Sequence, residues 1–253
     1  IHIVTELTDD IIGSADILTN SGHLRPIGEN IIRKMKPTGV IPLMYESWEH
    51  RDSDLDMEAC RRHSIAVAGT NESHRQTNVF SYLAPAALEL LRIGGIEPTG
   101  RTILLLCDNP FASFLYKGLT EAGAEVQLVE DRSGLSCDKG VDLVLVARDP
   151  ATGPGLSSTE AERIAQASPG AAVVQFLGDI DREHLKKLAL PCLPQFAPPP
   201  GHMGILLSDL APMSLVLLQA GSLNVGQIMA ASRKAGFSRT RSQKTALDSG
   251  FGN

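Results

Sequence analysis

The 253-residue chain lacks the groups that mark several large classes of protein. Its four cysteines, Cys60, Cys107, Cys137 and Cys192, form no C-x-x-C pair, which fits a reduced, cytoplasmic protein rather than a disulfide framework. No basic stripe interrupts a net charge of -6, so nucleic acid is not an expected partner. The one basic cluster, Arg239, Arg241 and Lys244, reads as a solvated segment. No apolar run reaches the roughly 20 residues of a membrane span, and the start has no signal-peptide layout. P-loop, G-x-S-x-G, H-x-H and H-E-x-x-H patterns are all missing, so neither nucleotide triphosphate chemistry, a serine nucleophile nor a metal site is expected. There are no internal repeats.

What is present is an alternation of strand and helix. An apolar share of 43% supports a real core, and the length suits one large domain or two modest ones. Strands are expected at Ile1–Thr5, Asp16–Thr19, Gly39–Met44, Ala66–Gly69, Ile103–Cys107, Val126–Val129, Val141–Ala147, Ala171–Phe176 and near Leu188–Leu193. Several are continuous apolar runs, as in parallel strands covered on both faces. Helices are expected at Gly28–Met35, Asp54–His63, Asn78–Ile93, Phe111–Ala122, Ser157–Ala167, Leu210–Gly221 and Gly226–Ala235. Ser157-Ser158-Thr159-Glu160 opens one of them as a capping box. This order predicts an α/β fold of two doubly wound, Rossmann- or flavodoxin-like parallel-sheet domains with a cleft between them. The expected first domain is 1–93 plus about 222–253, and the second is 94–221, a degenerate dinucleotide-binding unit that starts in the Gly94–Gly100 linker. The polar tail Phe237–Asn253 reads as disordered or as a lid.

Residues 102–130 carry the layout of a dinucleotide-binding βαβ unit: apolar strand, tight turn, helix, and a second strand ending on Glu130. The turn has lost its glycines. Cys107, Asn109 and Ala112 stand where G-x-G-x-x-G would fall. Cys107 itself, after four apolar residues, reads as a buried small apolar group.

The stretch DSDLDMEACRRHSIAVAGTNE (52–72), leading into the long helix at Asn78, and the stretch SSTEAERIAQASPGAAVVQF (157–176) resemble the D-2-hydroxyacid dehydrogenase family of the formate/glycerate type. The likeness runs over roughly residues 14–235. It implies a substrate domain, a cofactor domain and hydride transfer with NAD. The chain departs from the family at the chemical positions. Asp108-Asn109-Pro110 places a carboxylate where a diphosphate would lie and removes one N–H donor at Pro110. Phe176, Leu177 and Gly178 stand where the family's arginine polarises the substrate carbonyl. Gln195 stands for its acid/base histidine, and glutamine exchanges no proton near neutral pH. His202 substitutes only if the Pro198–Gly201 loop folds back. The family's dimerisation arm shrinks to Gly94–Gly100, so a homo-oligomer, if formed, uses another surface.

The loops after the first half's strands hold an unusual density of polar and aromatic groups: Asn20 to Pro26, Tyr45 to Arg51, and Thr70 to Arg75. Ligands in open α/β sheets bind beyond such strand ends. The expected acid/base groups are His23, Glu46 and Glu72. Asn20, Arg25, Tyr45, Trp48, Arg51, Asn71, His74 and His202 are the expected substrate contacts, and Asn109, Ala112 and Glu130 the cofactor contacts if one is bound. The leading expectation is a small-molecule enzyme that binds an anionic metabolite in the interdomain cleft, with standard hydride transfer lost and no cofactor. The alternatives are an NAD(P)-dependent oxidoreductase with an atypical turn, and a non-catalytic ligand or partner protein.

Overall fold

The computed structural model describes residues 6–20, 24–132, 140–206, 209–210 and 212–253. The expected strand Ile1–Thr5 and the expected catalytic His23 lie outside the described residues. The chain divides into two compact units, one of Ile1–Val79 with Leu215–Asn253 and one of Phe80–Ser214. Both are α/β with parallel sheets. The boundaries differ from those expected. The long helix assigned to the first domain belongs to the second unit, because its apolar face packs on that unit's helix and sheet.

The first unit holds α1 (Asp9–Ser14), α2 (Glu29–Ile32), β1 (Val40–Pro42), α3 (Met57–Arg62) and β2 (Ala66–Ala68). β1 and β2 pair in parallel, and Ile17 bridges to Val40 on the other side of β1. Successive strand residues point to opposite faces, and both faces are covered. Ile41 and Val67 face Ile12, Ile32, Leu55 and Ile65. Val40, Ala66 and Ala68 face Val225, Met229 and Ala246. That second layer comes from the end of the chain, through α8 (Pro212–Lys234) and α9 (Arg239–Asp248). The polar tail is therefore an ordered helix, not a disordered segment. Ser238 caps it, Ser242 and Ala246 are buried, and Gln243 donates to the Val67 carbonyl.

α8 merges two expected helices. Gly221 and Gly226 look like breakers but mark close approach. A Cβ at Gly221 would lie 2.7 Å from Thr77, and one at Gly226 2.7 Å from Ile17. Among the described helices α8 alone is long and apolar enough to cross a membrane, with a mean hydropathy of 1.3, which corrects the expectation that no run reaches that length. Of that stretch 44% is buried, and Val225 and Met229 sit in the first unit's core, as in a core helix.

The second unit holds α4 (Leu83–Ile93), β3 (Thr102–Leu106), α5 (Ala112–Glu121), β4 (Glu125–Val129), β5 (Leu143–Ala147), α6 (Ser158–Ala167), β6 (Ala172–Leu177), α7 (Arg182–Lys187) and β7 (Cys192–Leu193). Its parallel sheet runs β4-β3-β5-β6-β7. The chain moves outward from β3 to β4, then crosses to the far side of β3. This makes a topological switch point between β3 and β5, where such sheets bind ligands. β5 is buried at every residue, as its continuous LVLVA run predicts. α4 buries Leu83, Ala86, Ala87, Leu90 and Leu91, one stripe at helical spacing. Gly118 lets α5 approach it, since a Cβ there would sit 2.1 Å from that of Ala84. The capping box at Ser157 and Glu160 is formed.

Candidate functional site

In the first unit the expected ligand residues gather into two groups beyond the strand ends. One centres on Asp54, which no sequence pattern singles out. Arg25 and Arg51 each reach its Oδ2 at 3.5 Å. The Arg25 guanidinium lies 5.4 Å from the centre of the Tyr45 ring, and its Nε donates to the Asn20 carbonyl at 2.8 Å. Asn20 is fully buried. Its Oδ1 accepts from the Met44 N–H at 2.7 Å, and its Nδ2 has no partner among the described residues. Burial, with Asp54 close by, pushes the Tyr45 hydroxyl up to about 12, so it stays protonated and offers a donor. Two guanidiniums and a phenol thus stand around one carboxylate, and one of the guanidiniums is held by the Asn20 carbonyl.

The other group is acidic. Glu46 and Glu72 are both buried, and the Glu72 N–H donates to Glu46 Oε1 at 2.7 Å. Burial raises the Glu46 carboxyl, and bonds from Glu72, Asn253, Ser73 and Trp48 offset only part of that rise. Burial also raises Glu72 well above the usual carboxylate range, and the nearby charges of Glu49 and Glu46 push it the same way. Both carboxyls therefore hold a proton more tightly than an exposed carboxyl does.

The chain's own end closes over this group. Thr70 bridges to Gly252, the Asn71 N–H donates to the Phe251 carbonyl at 2.8 Å, and Asn71 Nδ2 donates to the Gly250 carbonyl at 2.9 Å. His74 stacks at 4.2 Å on the Phe251 ring. The Asn253 amide donates to the Glu46 carboxylate and accepts from the Ser47 N–H. Asn71 and His74, expected as substrate contacts, therefore face the segment Gly250–Asn253. Of the two readings of the polar tail, the lid is the one these contacts favour.

In the second unit the switch point is tied across by side chains. Asn109 Nδ2 donates to the Ala147 carbonyl at 2.7 Å. Its Oδ1 accepts from the Phe111 N–H at 3.0 Å, and its carbonyl accepts from the Ala112 N–H at 3.1 Å. Asp108 Oδ1 accepts from the Asp149 N–H at 2.9 Å, and Oδ2 from Arg132 Nε at 2.8 Å. Ala112 is buried, and Glu130 at the end of β4 is exposed. Burial pushes the Cys107 thiol up to about 12, which suits its reading as an apolar group.

The residues present do not fit a dinucleotide. The N–H donors of Phe111 and Ala112, which would meet a diphosphate at the start of α5, are taken by Asn109, and Pro110 has none. A carboxylate stands beside them at Asp108. No strand pairs on the outer side of β4 among the described residues, where the 3-2-1-4-5-6 dinucleotide order places a third.

Phe176, Leu177 and Gly178, expected at the family's hydride-transfer arginine position, are buried at the end of β6. Arg148, at the end of the neighbouring β5, is wholly buried and bonded to Glu160 at 2.8 Å. Gln195 lines a groove of about 740 Å³ with Arg182, Lys186 and Cys192, none of which belongs to the Asp108–Arg132 network. His202 fares better, because its loop does fold back. The Gly201 N–H donates to Asp179 at 3.0 Å and the Gly204 N–H to the Phe176 carbonyl at 2.9 Å, bringing residue 202 to the end of β6.

No family model matches the sequence, and no curated protein does. Solved structures do match. A dipicolinate synthase polypeptide from Bacillus halodurans aligns with a TM-score of 0.61 at 10% identity, over 89% of this chain and 84% of that one. D-lactate dehydrogenase with NAD+ from Lactobacillus jensenii gives 0.55 at 14% identity, over 91% and 88%. NAD+-bound 3-phosphoglycerate dehydrogenase from Entamoeba histolytica gives 0.53 at 12% identity, over 93% and 85%. At such identities the likeness is one of fold, and the fold of this chain is that of the D-2-hydroxyacid dehydrogenases.

Proposed function

We propose that this chain is a divergent member of that family, a small-molecule enzyme that binds an anionic metabolite at the strand ends of its first unit and does not perform the family's standard hydride transfer. The convergence of Arg25 and Arg51 on Asp54 carries the reading, with Asn20, whose carbonyl holds Arg25 and whose buried Nδ2 has no partner among the described residues. A ligand carboxylate would take donors from Arg25, Arg51 and Asn20, with the protonated Tyr45 hydroxyl as a fourth. Glu46 and Glu72 would exchange the proton, since both hold it more tightly than ordinary carboxyls. The altered residues at 176–178 and 195 support the loss of hydride transfer, because neither a carbonyl-polarising cation nor a proton-exchanging group stands there.

The test is calorimetry of small mono- and dicarboxylates against the full chain and Arg25→Met. Charged hydrogen bonds are worth about 1.5–3 kcal/mol each, so the variant should bind about tenfold or more weakly. A carboxylate that binds both proteins alike, or none that binds either, sinks the proposal.

The second reading is an NAD(P)-dependent oxidoreductase with a relocated acid/base. It is favoured by the return of His202 to the end of β6 and by the exposed Glu130 at the end of β4. Steady NADH oxidation with a 2-keto acid, abolished in His202→Gln, would establish it.

A further inference from the structure

We infer that Arg132 closes the second unit's switch point from within, standing where a bound dinucleotide would run. This deepens the proposed loss of hydride transfer and rests on it. A dinucleotide in such a sheet runs from the acid at the end of the second strand, here Glu130, across the turn after the first strand and on toward the next strand end. Arg132 lies two residues beyond Glu130, and its guanidinium bonds the turn after the first strand and the loop after the next one. Nε donates to Asp108 Oδ2 in the turn at 2.8 Å. Nη1 donates to the Pro154 carbonyl at 2.6 Å. Nη2 donates to the Asp149 carbonyl at 3.1 Å and to Thr152 Oγ1 at 2.7 Å.

The clasp joins the loops after β3, β4 and β5, and each acceptor is held in turn. Asp108 also accepts from the Asp149 N–H, and Thr152 Oγ1 also donates to the Asp149 carbonyl at 2.9 Å. The Asp108 side chain keeps only 15% of its exposure and that of Arg132 28%. The positive charge that a diphosphate would seek is already spent on Asp108. Freeing it would expose that carboxylate to the diphosphate. A ligand would therefore have to break the clasp and then meet repulsion.

The experiment titrates NADH and NADPH into the full chain by calorimetry and compares melting of wild type, Arg132→Ala and Asp108→Asn. Asp108→Asn keeps an acceptor for the Asp149 N–H and removes the anchoring charge, so it reports on the clasp if Arg132→Ala fails to fold. A closed switch point gives no saturable binding to wild type at millimolar cofactor and melting lowered by about 5 °C or more in the variants. Micromolar binding of either cofactor to wild type overturns it, as do both variants melting at the wild-type temperature. Carboxylate binding measured on the same samples separates the two claims. Cofactor binding with carboxylate binding intact defeats the closed switch point alone, and loss of carboxylate binding without cofactor binding defeats the metabolite site alone.

Discussion

Arg148 offers the sharpest test of how the second unit is held. Its side chain has no exposure, and Glu160 beside it has 8%. Nη1 donates to Glu160 Oε1 at 2.8 Å and to the Gly155 carbonyl at 3.3 Å, while Nε and Nη2 are buried without partners among the described residues. Glu160 Oε2 separately accepts the Ser157 N–H at 2.9 Å and its hydroxyl at 2.7 Å. Breaking a buried pair costs about 3–5 kcal/mol, because the survivor is a buried charge. Arg148→Met leaves Glu160 half-satisfied by Ser157, so its cost falls near the lower end, about 3 kcal/mol. Glu160→Gln strands the guanidinium on one long bond, so it falls nearer the upper end, about 4–5 kcal/mol. The double variant leaves no charge, keeps the cap through the glutamine, and sheds the desolvation of two unpaired guanidinium nitrogens. It should be less destabilised than either single variant, at about 2 kcal/mol. Urea unfolding of the four proteins gives the cycle. Desolvation raises the Glu160 carboxyl, but Ser157 and Arg148 outweigh it and set its pKa below the ordinary value. Its contribution is therefore present above the unfolded carboxyl's pKa and is lost as pH falls through the depressed one, so Arg148→Met should cost less in acid. An Arg148→Met cost below about 1 kcal/mol, or a double variant that matches the sum of the singles, refutes the reasoning.

Two further outcomes follow from the same geometry. Glu72→Gln should melt higher than wild type at neutral pH. Burial raises the folded carboxyl's pKa, so its contribution is full below the unfolded value near pH 4 and is lost as pH rises through the raised one. The gain should vanish in acid, and a gain that is constant with pH would rule out titration as its source. Gly204→Ala places a Cβ 1.8 Å from the Gln175 carbonyl oxygen, so the backbone must move. It should cost about 1–3 kcal/mol in urea unfolding and shift the loop that carries His202, and a neutral outcome would contradict the packing at the end of β6.

Much of the fold is legible in the sequence because burial on both faces leaves an unbroken signature. Val141–Ala147 and Ala171–Phe176 read as parallel strands and become β5 and β6, and the capping box read from Ser157 or Ser158 forms at Ser157 and Glu160. The misses have local causes. α7 has six residues and buries only Leu185, too little for a helical period to show. Gly221 and Gly226 read as stops, yet they sit inside α8 where only a hydrogen fits against Thr77 and Ile17. Part of the site is legible as well: Asn20, Arg25, Tyr45 and Arg51 stand out in the sequence, and they do gather. Asp54 does not, because a counter-ion shared by two arginines is visible only when residues 25, 51 and 54 meet. Arg132 sits in a polar turn, and no spacing rule reveals that its guanidinium spans three loops.

The first unit is sewn from both ends of the chain. Val40, Ala66 and Ala68 expose an apolar face until α8 and α9 arrive, and the Asn71 N–H and Nδ2 donate to the carbonyls of Phe251 and Gly250. On the ribosome, residues 80–214 emerge as a finished unit while the earlier segment waits. At ordinary synthesis rates that wait is on the order of ten seconds, with a bare two-stranded sheet exposed. Expression yield should therefore respond to chaperone supply during that interval, and a stop between Leu215 and Ala246 would leave a complete second unit attached to a first one that cannot close.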